Sequence, residues 1–391
     1  MSALGPPSRH RAGLDAVAFA AIFVFGIVMA LLGAIMPVLA ERLALDLADA
    51  GTLFLVTNGG ILVSSFVVGP LTDRFGMKAP LTLGAALVAV ALAGIARATT
   101  LGGLLPVVAC LGLGGGALNA TANTLVADLH EDPAAKASAL NVLGVFFGFG
   151  ALIMPFSIGV LLSRAGLPGL LLAAAALCVL TATFAAALRY PTPKQTQDFP
   201  LGGLGQLART PLVMAFAFLL FFQSGNEFLL GGYFATFVTR ELALPVGQAS
   251  YLLAAYWAAI MVSRLMLSRA VLRIGAHRAV LAAAILAASG AIAVAAATTT
   301  PLATVGILVT GAALAGVFPT VLGIAGGAFR ERSGTVFGLL FAVALTGGMT
   351  MPWAAGQLAE QAGLRWVFVL AAANFGAVAA LNAVAQRLRQ S

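Results

Sequence analysis

One carboxylate, Glu227, stands in the middle of a stretch that carries no other charge between Leu212 and Val238. Its surroundings, FLLFFQSGNEFLLGGYFATFV, contain no polar loop that would hydrate it. Placing a carboxylate at bilayer depth costs roughly 2.5–3.5 kcal/mol on insertion scales, so such an acid usually faces a cavity or an ion route. A carboxyl there can hold a proton in one conformational state and release it in another. Two roles follow for Glu227: proton coupling, or a structural pairing with a cation such as Arg264.

Gln223 lies four residues before Glu227, on the same face of any helix through this stretch. Asn226 is adjacent, and Gly231-Gly232 is expected to loosen or bend the helix beyond it. Asn119 and Asn123 repeat the four-residue spacing earlier in the chain, with Asn141 further on. An amide both donates and accepts, which suits a hydroxyl- or amide-bearing solute. Substrate contact is therefore expected at Asn119, Asn123, Asn141, Gln223 and Asn226, with helix–helix hydrogen bonding as the competing role. Asn58 is a weaker case of the same kind. Tyr256, with Tyr251, Trp257 and Tyr233, supplies aromatic surface suited to a sugar ring or to an interfacial anchor. Arg264 either closes a gate or snorkels to the headgroups.

Other chemistries are not advertised. The run Gly112-Leu113-Gly114-Gly115-Gly116-Ala117 imitates a dinucleotide fingerprint, but it has no preceding strand and sits in apolar sequence, where glycines permit close helix packing. His10, His130 and His277 are far apart and show no metal-ligand spacing. There is no Walker-type phosphate loop, and Cys110 and Cys178 both lie within apolar runs. Neither a cofactor nor a metal is expected, and the chain does not read as an enzyme.

The elements that hold these residues follow from composition. Of 391 residues 61% are hydrophobic and only 9% charged, with a mean hydropathy of +1.04. A soluble chain would carry about a quarter charged residues. Lipid must therefore cover this one. Segments long enough to cross about 30 Å of hydrocarbon fall at 14–40, 51–71, 79–97, 102–127, 136–162 and 168–188. Six more fall at 211–238, 247–270, 279–297, 302–326, 333–357 and 364–386. The expected fold is an all-α integral membrane protein with twelve transmembrane helices in two pseudo-symmetric six-helix bundles. Residues 1–190 would form the first bundle, 191–210 a proline-bearing cytoplasmic linker, and 211–391 the second. The first apolar segment lacks a small-residue cleavage site and reads as a retained span.

With the N-terminus inside, sixteen Lys and Arg fall on cytoplasmic segments and five, Arg42, Arg97, Arg164, Arg240 and Arg365, on the other side. That bias sets both termini in the cytoplasm. It also accounts for the net charge of +8 without nucleic acid, since no basic patch with an aromatic platform accompanies it. The halves repeat: Gly69, Arg74 and Gly76 recur 199 residues on as Ser268, Arg273 and Gly275, and Gly150 and Pro155 recur 197 on as Gly347 and Pro352.

The loop Gly69-Pro70-Leu71-Thr72-Asp73-Arg74-Phe75-Gly76-Met77-Lys78 resembles the G-x-L-x-D-R-x-G-x-[KR] pattern of the major facilitator superfamily. Gly69 is expected to admit a neighbouring helix and Gly76 to make a tight turn. The resemblance implies that Asp73 and Arg74 serve in gating. At the repeat, Leu272 stands where the acid would recur. The segment Phe222-Gln223-Ser224-Gly225-Asn226-Glu227 further resembles the fucose–proton symporter branch, although Asn119 occupies the place of that branch's fourth-span acid.

Together these features predict a proton-coupled carrier that imports a sugar or other small polar solute by alternating access, with Glu227 as the coupling residue. A proton-antiport exporter of drugs or metabolites is the alternative, favoured by an apolar cavity around Phe221, Phe222 and Phe228. The expected partners are a small polar solute, protons and membrane lipids, without nucleic acid. The chain is expected to be a monomer in a bacterial inner membrane.

Overall fold

A computed structural model describes residues 8–130, 132–192, 207, 209–329 and 333–390. Most of the expected linker, including Lys194, lies outside the described residues, as do Arg330 and Arg332. The chain forms helices α1 (Ser8–Leu43), α2 (Leu47–Phe75), α3 (Lys78–Arg97), α4 (Leu101–Leu129) and α5 (Pro133–Ala187). These are followed by α6 (Pro211–Glu241), α7 (Val246–Ile274), α8 (Ala276–Ala295), α9 (Thr300–Leu314), α10 (Val317–Ala328), α11 (Ser333–Ala362) and α12 (Arg365–Gln390). A helix satisfies its own backbone polar groups, which is what a medium without water demands.

The expectation of twelve spans in two six-helix bundles is overturned. Among the described residues eleven helical stretches are long and apolar enough to cross a membrane. The difference lies in α5. The segments expected at 136–162 and 168–188 are one helical element of 55 residues. Only Gly166 leaves helical geometry (φ 64, ψ 170), and no loop intervenes. Pro168 has no N–H with which to bond the Arg164 carbonyl four residues back, and Gly166 between them tolerates the positive φ of the break.

A second interruption falls inside an expected span. The stretch 300–328 crosses as one span but is broken between α9 and α10 at Ala315-Gly316. Pro319, in the first turn of α10, has no N–H with which to bond the carbonyl four residues back, that of Ala315.

Contacts divide the chain into two units, Met1–Leu31 with Gly59–Gln197, and Leu32–Asn58 with Asp198–Ser391. In the first, α1 crosses α5 at backbone distance: a Cβ on Gly150 would collide with the Phe23 carbonyl, and one on Gly26 with that of Phe147. Helices α3 and α4 approach in the same way, since a Cβ on Gly114 would lie 2.6 Å from the Gly84 carbonyl. The glycine run 112–116 thus serves helix packing. In the second unit α6 crosses α11 at Gly347, whose Cβ would strike the Phe221 carbonyl. Phe23 with Gly150 and Phe221 with Gly347 are repeat-related pairs making the same contact.

The ends of α1 and α2 that belong to the second unit pack on α6 and α11. A Cβ on Gly33 would strike the Gly231 carbonyl, and one on Gly51 would come within 2.9 Å of the Trp353 carbonyl. The Phe54 ring lies 5.6 Å from that of Tyr233, whose hydroxyl donates to the Pro352 carbonyl at 2.9 Å. The Leu47 N–H, at the start of α2, donates to the Glu360 carboxylate at 3.0 Å. Gly231-Gly232 therefore marks close approach within a continuous α6, not a bend. Elsewhere in the unit, Phe216, Leu220, Val280, Val321, Leu340 and Val378 form a buried apolar cluster joining α6, α8, α10, α11 and α12.

The loop after α2 turns as expected at Gly76, with φ 82, and its repeat Gly275 turns likewise with φ 86. Gly69 does not behave as expected, for a Cβ there would meet nothing within 4 Å among the described residues. The two glycines give opposed expectations for thermal unfolding in detergent. Gly347→Val should destabilise by ~1–3 kcal/mol through overpacking, whereas Gly69→Ala should change stability by less than ~0.5 kcal/mol.

Candidate functional site

Glu227 projects from the middle of α6 and is half-buried. The positive charge of Arg264, on α7, acts on it, and Arg264 is half-buried as well. The Nε of Arg264 donates to the Ala315 carbonyl at 3.4 Å. This is the carbonyl that Pro319 leaves without its helical donor. One residue earlier, the Leu314 carbonyl accepts from Gln223 Nε2 at 3.1 Å. The last carbonyls of α9 have no partner within the helix and carry its negative dipole end, so an amide and a guanidinium suit them. The break is thus tied to α6 by Gln223 and to α7 by Arg264.

Tyr256 completes this wall. Its hydroxyl donates to the Glu227 backbone carbonyl at 3.3 Å. The phenol is fully buried, its ring packs against Gly311 of α9, and it meets Trp257 edge-on at 5.4 Å. Trp257 in turn covers Gly231, one helical turn beyond Glu227. Two buried polar atoms here have no partner among the described residues, Gln223 Oε1 and Trp257 Nε1.

Asn226 points elsewhere. Its amide nitrogen donates to the Ala371 carbonyl at 3.0 Å, and its oxygen accepts from Asn374 Nδ2 at 3.0 Å. Both asparagines are buried, so this pair fastens α6 to α12. In the first unit, Asn123 Nδ2 donates to the Asn119 backbone and side-chain oxygens at 2.9 and 3.0 Å. Asn119 is half-buried, while Asn123 and Asn141 are exposed. Asn58 is buried and returns its amide to the Phe54 carbonyl of its own helix at 3.0 Å. Asp73 is half-buried near the end of α2, and the exposed Arg74 guanidinium lies 5.2 Å from the Phe75 ring centroid.

Structure therefore gathers Gln223, Glu227, Tyr256 and Arg264 at one place, keeps Asn119 next to Asn123, and turns Asn226 away. Sequence reading missed Asn374, which follows from no local spacing, because its partner lies 148 residues away. It also missed the carbonyls of Leu314 and Ala315 as acceptors for side chains, although Pro319 was a legible signal for the second. A further acid went unnoticed: Asp15, in α1, has a buried Oδ1 without a partner among the described residues.

Comparison with known proteins fits this architecture. The profile of the Major Facilitator Superfamily matches residues 18–223 and 216–390. The chain belongs to that family. It is a multi-pass membrane protein of a family of secondary transporters of small solutes, not of enzymes. Among the described residues no three His, Cys, Asp or Glu side chains group as metal ligands. A stretch of 144 residues is 31% identical to the 4-hydroxybenzoate transporter PcaK of Acinetobacter baylyi, covering 37% of this chain and 31% of that protein. Another of 263 residues is 24% identical to the TsgA homolog of Erwinia tasmaniensis, covering 65% and 64%. The chain thus spans about a third of the one relative and just under two thirds of the other.

Among solved structures, a mutant of the nucleoside transporter NupG superposes with a TM-score of 0.81 at 16% identity, covering 96% of this chain and 99% of that one. A bacterial homolog of the human lysosomal transporter Spinster gives 0.80 at 15%, covering 98% of each. The Escherichia coli fucose:proton symporter FucP gives 0.66 at 18%, covering 96% and 99%. These likenesses show the superfamily fold and do not single out the fucose branch.

The Asn226–Asn374 pair can be weighed directly. In a double-mutant cycle of Asn226→Leu and Asn374→Leu, denaturant unfolding should give a coupling of ~0.6–1.7 kcal/mol, the range measured for interhelical bonds in membranes. A cycle that closes without coupling would contradict the fastening role.

Proposed function

We propose that this chain is a proton-coupled secondary transporter that imports a sugar or another small polar solute by alternating access, Glu227 being the group that takes up and releases the proton. The observation that carries this reading is a lone carboxylate in the middle of a transmembrane helix, half-buried beside a half-buried arginine. A permanent structural salt bridge would be best served by full burial and complete hydrogen bonding. A carboxylate that must exchange its proton needs a counter-charge it can leave and a route to water.

The division of labour among the candidate residues follows from what each side chain still has to offer. Arg264 stabilises the ionised carboxylate and anchors it to the α9–α10 break. The exposed amides Asn123 and Asn141, with Asn119, keep free donors and acceptors for a polar solute. Exposure of an amide on a spanning helix favours a wet passage over lipid on energetic grounds. Tyr256 holds the α6 backbone at Glu227 in place. Asp73 and Arg74 gate the cytoplasmic side, and the excess of Lys and Arg on the expected cytoplasmic segments puts both termini there. The carrier would work in a bacterial inner membrane and as a monomer.

Proteoliposome uptake with an imposed inward proton gradient tests the reading. The solute panel should include hexoses, nucleosides and 4-hydroxybenzoate. A solute accumulated by the wild type should reach only equilibrium with Glu227→Gln, at least about tenfold below the wild-type ratio for a one-unit pH gradient. Solute counterflow, which needs no net proton movement, should persist in the variant. Full gradient-driven accumulation by Glu227→Gln would defeat the coupling role, and accumulation driven by an outward-directed gradient would favour the exporter.

A further inference from the structure

Gln223 is held by one end only. Its Nε2 donates to the Leu314 carbonyl at the end of α9, which fixes the direction of the amide. The oxygen at its other end is buried and has no partner among the described residues, and the side chain is 0% exposed. An unmade hydrogen bond of this kind costs about 1–3 kcal/mol, so an orphan acceptor calls for a donor that is present part of the time. Gln223 and Glu227 lie four residues apart on one face of α6, where side chains meet.

The chemistry of a carboxyl supplies the missing donor. Ionised, Glu227 has only acceptors and can give nothing to Gln223 Oε1; protonated, it carries one O–H. Arg264 has the opposite preference, being a donor without acceptors. Tyr256 of α7 already donates to the Glu227 backbone carbonyl, and Asn374 of α12 is bound to Asn226, so neither gives a donor to Gln223 Oε1. Among the described residues Arg264 is the charged side chain whose field acts on Glu227.

We propose that Gln223 is a positioning residue that recognises the protonated state of Glu227: the neutral carboxyl donates its O–H to Gln223 Oε1, and the ionised carboxylate turns to Arg264. The inference rests on the proton-coupling reading above and gives it a mechanical consequence. Gln223 and Arg264 are both anchored on adjacent carbonyls, Leu314 and Ala315, at the α9–α10 break. One proton arriving at Glu227 from water therefore loads the α6 arm and unloads the α7 arm on the same break, and its departure does the reverse. No bond other than the carboxyl O–H forms or is lost.

Infrared pH titration of the full chain in lipid nanodiscs reads this directly. The band of the protonated Glu227 carboxyl is identified by its disappearance in Glu227→Gln. In Gln223→Met, which keeps the length of the side chain and removes the amide, the band should move to higher frequency, as a carboxyl does when its O–H loses an acceptor. Its titration midpoint should fall by about one pH unit, a tenfold weaker hold on the proton. Gln223→Asn, which withdraws the oxygen by one methylene, should move both readouts in the same direction and serves if the first variant does not fold. A purely structural glutamine would leave band and midpoint in place. An unmoved band in a folded Gln223 variant overturns the inference while leaving the coupling role of Glu227 standing. Absence of any band removed by Glu227→Gln overturns both.

Discussion

The carbonyl oxygens of Leu314 and Ala315 must be satisfied in a medium that offers no water, and much of the candidate site is arranged around that requirement. Pro319 cannot donate to Ala315, and the Leu314 carbonyl beside it is the last of α9, so two acceptors lie at this break inside an apolar span. Gln223 and Arg264 meet them from two different helices. Those donors are also the near neighbours of Glu227, one by helical spacing and the other by charge. The acid is thereby linked to a discontinuity in the backbone without touching it.

Close backbone approach is the second constraint. Glycines at 26, 114, 150 and 347 stand where a side chain would collide with a facing helix. Without a hydrophobic drive between helices in lipid, such approach and interhelical hydrogen bonds hold the bundle together. The pairing of Phe23 with Gly150 and of Phe221 with Gly347 shows the same crossing built twice. Asn226 and Asn374 add a polar fastening between α6 and α12.

Much of this was legible in the sequence because lipid imposes a length and a composition on each span. Glu227 stood out for the same reason: a charge in an apolar run has no neighbour to hide it. The turn glycines Gly76 and Gly275 were readable from the repeat, and both take positive φ. Length and hydropathy did not reveal that Gly166-Leu167-Pro168 breaks α5 at one residue instead of opening a loop, since proline and glycine mark either outcome. They also did not show Gly69 facing open space or Asn226 facing Asn374, because those depend on which helix lies opposite. Arg264 was legible as a partner for Glu227, but its bond to the Ala315 carbonyl depends on which helix lies opposite.

The central claim is that the Glu227 side chain reaches water and not acyl chains. It is tested most directly by accessibility. With Cys110 and Cys178 replaced by serine, Glu227→Cys should react in membranes with a small charged methanethiosulfonate reagent, and an equivalent cysteine at Val90, exposed on the outside of α3, should not. If position 227 reacts only with a lipophilic maleimide, as Val90 should, the acid lies among acyl chains and the account of a proton-carrying site at Glu227 is contradicted.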